Sequence, residues 1–149
     1  MAAGKYDFAI EQGTSFRLSL VYKDAEGNPM DLTGWCARLI WRTSGSATQT
    51  FSSNNNDHEI YRFEVDEPNG KLTLLFPSST TNSFNFNTAK YDLELQSPDD
   101  LYDGGGKFKT RILYGIITIV KRFSQVSSNM DCNLWAILLY KLLILKCIL

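Results

Sequence analysis

The stretch Ser15-Phe16-Arg17-Leu18-Ser19-Leu20-Val21-Tyr22 sorts its side chains by twos: Phe16, Leu18, Leu20 and Tyr22 fall on one side, Ser15, Arg17 and Ser19 on the other. A period of two is that of a half-buried strand, and a helix would scatter these residues around its axis. The next residues, Lys23-Asp24-Ala25-Glu26-Gly27-Asn28-Pro29, supply the Gly, Asn and Pro that accept or preset turn dihedrals, so a reversal follows. Residues 35–42 alternate again, with Trp35, Ala37, Leu39 and Trp41 on one face and Cys36, Arg38, Ile40 and Arg42 on the other.

Working outward, residues 43–56 are rich in Ser, Thr, Gly, Asn and Gln around Phe51, which reads as a long loop holding one weak edge strand. Residues 59–65, the turn Pro68-Asn69-Gly70 and residues 71–76 give a strand, a turn and a strand. Residues 77–87 read as a crossing segment with one helical turn, whose Phe84 and Phe86 plug the end of the core. Tyr91, Leu93 and Leu95 alternate with Asp92, Glu94 and Gln96 and are expected to pair with a last strand over 109–121. That strand is apolar on both faces: Ile112, Tyr114, Ile116, Thr118 and Val120 on one, Leu113, Gly115, Ile117 and Ile119 on the other. It therefore lies centrally or has its outer face covered by a partner.

About seven short strands spaced about 10 to 15 residues apart, with no convincing helix before position 123, predict an all-β chain: an antiparallel immunoglobulin-like β-sandwich. The antibody signature of a buried Trp against a disulfide is missing, and Tyr91 reads as a tyrosine corner or simply as core. The domain spans 1–123. Residues 124–149 are a polar linker and a hydrophobic segment that reads as helical; its last 16 residues, 134–149, would span about 24 Å as a helix, short of a bilayer's ~30 Å core. Three explanations of it stand: a helix docking on the domain or a neighbouring subunit, a membrane-surface segment, and a stretch not native to the fold. Oligomeric burial and a non-native extension are favoured over membrane contact.

Composition narrows function. At 149 residues the chain has room for one real core. Lys and Arg number 15 against 16 Asp and Glu, net -1, so there is no overall basic field to hold a phosphate backbone, and nucleic acid is not an expected partner. No export signal is read at the start, and Cys36, Cys132 and Cys147 form neither a disulfide framework nor a zinc cage. Cys36 is expected as a small buried hydrophobe, and a reducing compartment fits.

Chemistry is sparse. His58 is the only histidine and sits in a polar loop, so any triad or poly-His metal arrangement would rest on it alone. Asp99-Asp100-Leu101-Tyr102-Asp103-Gly104 clusters carboxylates without the alternate-position ligands of a calcium loop. Gly104-Gly105-Gly106-Lys107 lacks phosphate-loop spacing, and Asp66 and Glu67 point opposite ways in an extended chain. The expectation is no catalytic residue, no metal, no cofactor and no enzyme. Trp35 and Trp41 on one strand face leave an alternative, an aromatic platform for a glycan in host-surface adsorption, with core packing favoured. Arg38 and Arg42 read as a solvated or subunit-contacting face.

Four segments in order, Glu26-Gly27-Asn28-Pro29-Met30-Asp31-Leu32-Thr33-Gly34-Trp35, Asn69-Gly70-Lys71-Leu72-Thr73-Leu74, Lys90-Tyr91-Asp92-Leu93-Glu94-Leu95 and Tyr114-Gly115-Ile116-Ile117-Thr118-Ile119-Val120, resemble a family of small β-sandwich structural proteins of tailed bacteriophages. The likeness covers about residues 5–121 and stops before the hydrophobic segment. It implies a virion protein of neck, tail, baseplate, fibre attachment or capsid, contacting other virion proteins and copies of itself, with no catalytic residue carried over. The outer face of 109–121 and the loop 43–56 are the expected contact surfaces.

Overall fold

The computed structural model describes residues 2–45, 47–53, 60–100 and 106–124. Its strands are β1 (Gly4–Lys5), β2 (Phe8–Glu11), β3 (Phe16–Val21), β4 (Cys36–Thr43), β5 (Thr48–Ser52), β6 (Ile60–Tyr61), β7 (Phe63–Asp66), β8 (Lys71–Phe76), β9 (Thr88–Asp100) and β10 (Lys107–Val120), with one short helix, α1 (Ser78–Asn82). The larger sheet runs β1-β10-β9-β4-β5-β6, with β2 also on β10; the smaller is β3-β8-β7. The all-β expectation stands, but two details change. More strands are present than the seven expected, and the larger sheet is mixed, because β1 and β2 run parallel to β10. Residues 4–11 carry too little alternation to announce a strand; β10 supplies the pairing that makes them one.

The strands read from alternation appear where alternation put them. In β3, Phe16, Leu18 and Leu20 turn inward while Arg17, Ser19 and Val21 are exposed. In β4, Ala37, Leu39 and Trp41 are buried. The weak strand expected in the 43–56 loop is β5, and its Phe51 is fully buried. Residues 77–87 cross from β8 in one sheet to β9 in the other through α1, with Phe84 and Phe86 at Trp41. Trp41 is the hub: its ring lies 4.6 Å from Phe51, 5.1 Å from Phe84 and 5.2 Å from Phe86 between centroids, mostly edge to face. Such pairs add about 0.5–1.5 kcal/mol each beyond simple burial.

The corner after β3 is built from short polar side chains. Asp24 accepts from the backbone N–H groups of Glu26 and Asn28, closing the loop before Pro29 bridges back to Lys23. Asp31 accepts from Thr33 Oγ1 at 2.6 Å and Thr33 N–H at 2.8 Å, and these bonds, the hydroxyl's first, lower its carboxyl pKa. Gly34 closes this second turn at φ +75°, a left-handed value that suits glycine, and Gly27 also has positive φ. Inside this second turn Leu32 is driven into the core, its N–H bonded to the Glu67 carbonyl.

Candidate interaction face

The apolar double face of the last strand has a local cause. Against β9, β10 steps from Arg111↔Glu94 to Leu113↔Leu93, so Ile112 is an extra residue, a bulge. Phe108, Thr110 and Ile112 are the half-buried residues before it; beyond it Gly115, Ile117 and Ile119 are the buried ones. The inward parity switches, so Ile112 belongs with the core and not, as alternation alone suggests, with Tyr114 and Ile116. The outward residues after the bulge are Tyr114, Ile116, Thr118 and Val120. Tyr114, Ile116 and Val120 are 37%, 40% and 47% exposed, although β10 lies inside the sheet between β1/β2 and β9.

The registers of β4, β9 and β10 set these side chains in rows across the outer surface. Arg38, Glu94 and Arg111 form one row, Ile40, Asp92 and Tyr114 the next, Arg42, Lys90 and Ile116 the third. The first row alternates in sign. In the second, Asp92 accepts from Arg111 Nη1 at 3.0 Å, while the Arg111 guanidinium lies 5.0 Å from the Tyr114 ring centroid. The third row sets Arg42 directly opposite Lys90, a like-charge pair that costs stability where opposite charges would add it. Among the described residues neither has a carboxylate within ion-pair distance. Lys5, Ile40, Arg42, Lys90, Tyr114 and Ile116 line an open depression of about 590 Å³ on this face.

Beneath the face, Asp7 and Tyr91 fasten the N-terminal strands. Tyr6 N–H donates to the Tyr114 carbonyl, and the Asp7 carboxylate accepts the Ile116 N–H at 2.8 Å, replacing a ladder bond where β1 breaks from β2. Gly115 lies at that break. A β-carbon there would strike the Tyr6 carbonyl and the Asp7 carboxylate, so glycine is what lets the segment close. Tyr91, the cross-strand partner of Gly115, donates its hydroxyl to the Tyr6 carbonyl at 2.5 Å. It is core and a clamp on a segment 85 positions away in sequence, not the local tyrosine corner, whose hydroxyl bonds a few residues upstream. Burial, then the nearby Asp7 and Tyr6, push its phenol pKa up to about 12.

The other sequence candidates are scattered. Trp41 is 1% exposed and points into the core, while Trp35, half-buried just before β4, packs edge to face on Phe108, so the two make no joint platform for a sugar ring. Cys36 is half-buried rather than fully buried, because it sits on the outward side of β4. Asp66 accepts from Asn69 Nδ2 and Glu67 from the Gly34 N–H, so each carboxylate is engaged locally. Asp99 is exposed. His58, residues 101–105, the hydrophobic segment and its linker beyond 124, and Cys132 and Cys147 with them, lie outside the described residues. Among the described residues no group of three or more His, Cys, Asp or Glu could hold a metal ion, and no helix is long and apolar enough to cross a membrane. A second open depression, of about 500 Å³, lies where α1 meets β5, with Arg62 Nη2 donating to Thr80 Oγ1 at 3.3 Å.

No protein-family model matches the chain, and no curated protein matches it.

Proposed function

We propose that this protein is a non-enzymatic structural and assembly subunit of a tailed-bacteriophage virion, an immunoglobulin-like module acting through protein–protein contacts. The sheet orders support the module: β10-β9-β4 continued by β5, facing β3-β8-β7, follow the G-F-C and B-E-D orders of that fold. The phage assignment rests on the ordered sequence segments that resemble phage β-sandwich proteins. Its partners are other virion proteins and copies of itself, without nucleic acid, metal or cofactor.

The observation that carries a contact role is the third row of the outer face. An exposed Ile116 beside an Arg42–Lys90 pair that no carboxylate among the described residues bridges suits a partner surface that brings apolar groups to the strand and a carboxylate between the cations. Lys90→Glu removes the like-charge repulsion. The variant should therefore be at least as stable as the parent on urea titration, yet be outcompeted by the parent for incorporation into particles. Equal incorporation would contradict a contact at this face. The glycan alternative has lost the paired tryptophans that motivated it and has no other support among the described residues.

A further inference from the structure

The smaller sheet ends in an open strand. The Tyr22 N–H donates to the Gly70 carbonyl at 2.8 Å, and in the antiparallel register of β3 on β8 this places Phe16, Leu18 and Leu20 in the pairs bonded to β8. The main-chain groups of Arg17, Ser19 and Val21 then point away from the sheet. Among the described residues no strand or side chain takes those groups. The other edges are protected by shortness or interruption: β7 has four residues, β6 has two, and the β1/β2 edge is broken at Tyr6 and Asp7. The six residues of β3 contain no proline, bulge or inward charge, and the outward Arg17 is the one charged side chain that guards the edge. Its inward side chains Phe16, Leu18 and Leu20 are only half-buried, while their β8 partners Phe76, Leu74 and Leu72 are fully buried. Among the described residues no further strand lies on that side.

We propose that β3 is a homodimer edge, pairing antiparallel with β3 of a second copy about a two-fold axis at Ser19. The strand is self-complementary in this register: a centre at Leu18 would pair Tyr22 with Thr14 in the preceding bend, and one at Leu20 would set Arg17 opposite Lys23, a like-charge pair. An axis at Ser19 sets Ser19 on Ser19 and Arg17 on Val21, using every outward N–H and C=O, and brings Leu18 to Leu20 and Phe16 to Tyr22 on the inner face. An axis at Arg17 would set two guanidinium groups directly opposite each other, which is destabilising. An axis at Val21 would run the pairing beyond the end of the strand into the turn at Lys23 and Pro29. The Ser19 register joins the two three-stranded sheets into one continuous sheet across an isologous contact. The proposal does not depend on the virion reading: it stands or falls on pairing in the purified chain, and its failure would leave a role for the β4-β9-β10 face untouched.

Single cysteines placed on this edge test it, in the full-length chain with Cys36, Cys132 and Cys147 replaced by Ser. With a short-span bifunctional thiol reagent, Ser19→Cys should yield a covalent dimer as the major species. Arg17→Cys and Val21→Cys should each give no covalent dimer alone and cross-link when mixed. All three residues are exposed, and the one side-chain bond altered is Ser19 Oγ to Thr73 Oγ1; circular dichroism matching the parent verifies that the fold is kept. As a second arm, Ser19→Pro removes one outward donor, keeps the backbone bonds to β8 and gives up only the Ser19 Oγ–Thr73 Oγ1 hydrogen bond of 3.1 Å; Ser19→Ala, which loses the same side-chain bond, is its control, and light scattering should show loss of the dimer mass for Ser19→Pro alone. Monomeric Ser19→Cys overturns the proposal, and Arg17→Cys cross-linking to itself overturns the register.

Discussion

Tyr91 spends its one polar side-chain atom on the Tyr6 carbonyl, tying the segment between β1 and β2 to the centre of the larger sheet. Tyr91→Phe keeps the ring and removes the bond. It should cost about 0.5–1.5 kcal/mol, the usual net contribution of one hydrogen bond, read as a fall in the urea midpoint at unchanged slope. The pH dependence has a definite sign. The folded phenol titrates near 12 against 10.0 for the free group, so the unfolded chain gives up this proton first. Stability from Tyr91 is complete below pH 10 and declines as pH rises toward 12. Unfolding titrations at pH 9 and pH 11 should show a steeper loss for the parent than for Tyr91→Phe; identical losses would remove the clamp from the account. In the sequence Tyr91 was visible as an inward residue of a strand. Its hydroxyl's partner was not, because a contact made 85 positions away leaves no local pattern.

At the scale of the element, β3, β4 and β9 were legible because one face of each meets the core and the other does not, which is what a period of two records. β10 was legible as a strand but not in its phase: Ile112 hides the bulge, and no alternation rule marks where one extra residue is inserted. β1 and β2 were not legible at all. Their backbone is held by β10 and by the Asp7 carboxylate on Ile116, both non-local, and their own side chains are mostly exposed. Gly115 is the position on which that attachment turns. Gly115→Ala should push Tyr6 and Asp7 off β10 while the remaining ladder of β10 with β9 holds. Hydrogen exchange should then speed up at the amides of Tyr6 and Ile116 and stay slow at Leu93. Unchanged protection at Tyr6 would show that the crowding at Gly115 is relieved without release of the segment.

For the molecule as a whole, the core and the surface tell different stories. The core is closed by aromatic rings around Trp41, and the sequence announced most of it through Trp41, Phe76, Phe84 and the Leu rows. The surface was announced only in part. An apolar outer side to β10 was expected, but the like-charged Arg42–Lys90 pair beside it depends on the register between β4 and β9, which two strands 48 positions apart do not reveal (90 − 42 in the numbering). The proposed subunit role rests, among the described residues, on the exposed apolar side of β10, an Arg42–Lys90 pair with no carboxylate at ion-pair distance and an open β3 edge. Cross-linking mass spectrometry of intact purified phage particles, with an amine-reactive reagent, tests this most directly. The account predicts peptides of this chain in the particle, with Lys5 or Lys90 linked to another virion protein; particles that lack the chain would contradict it.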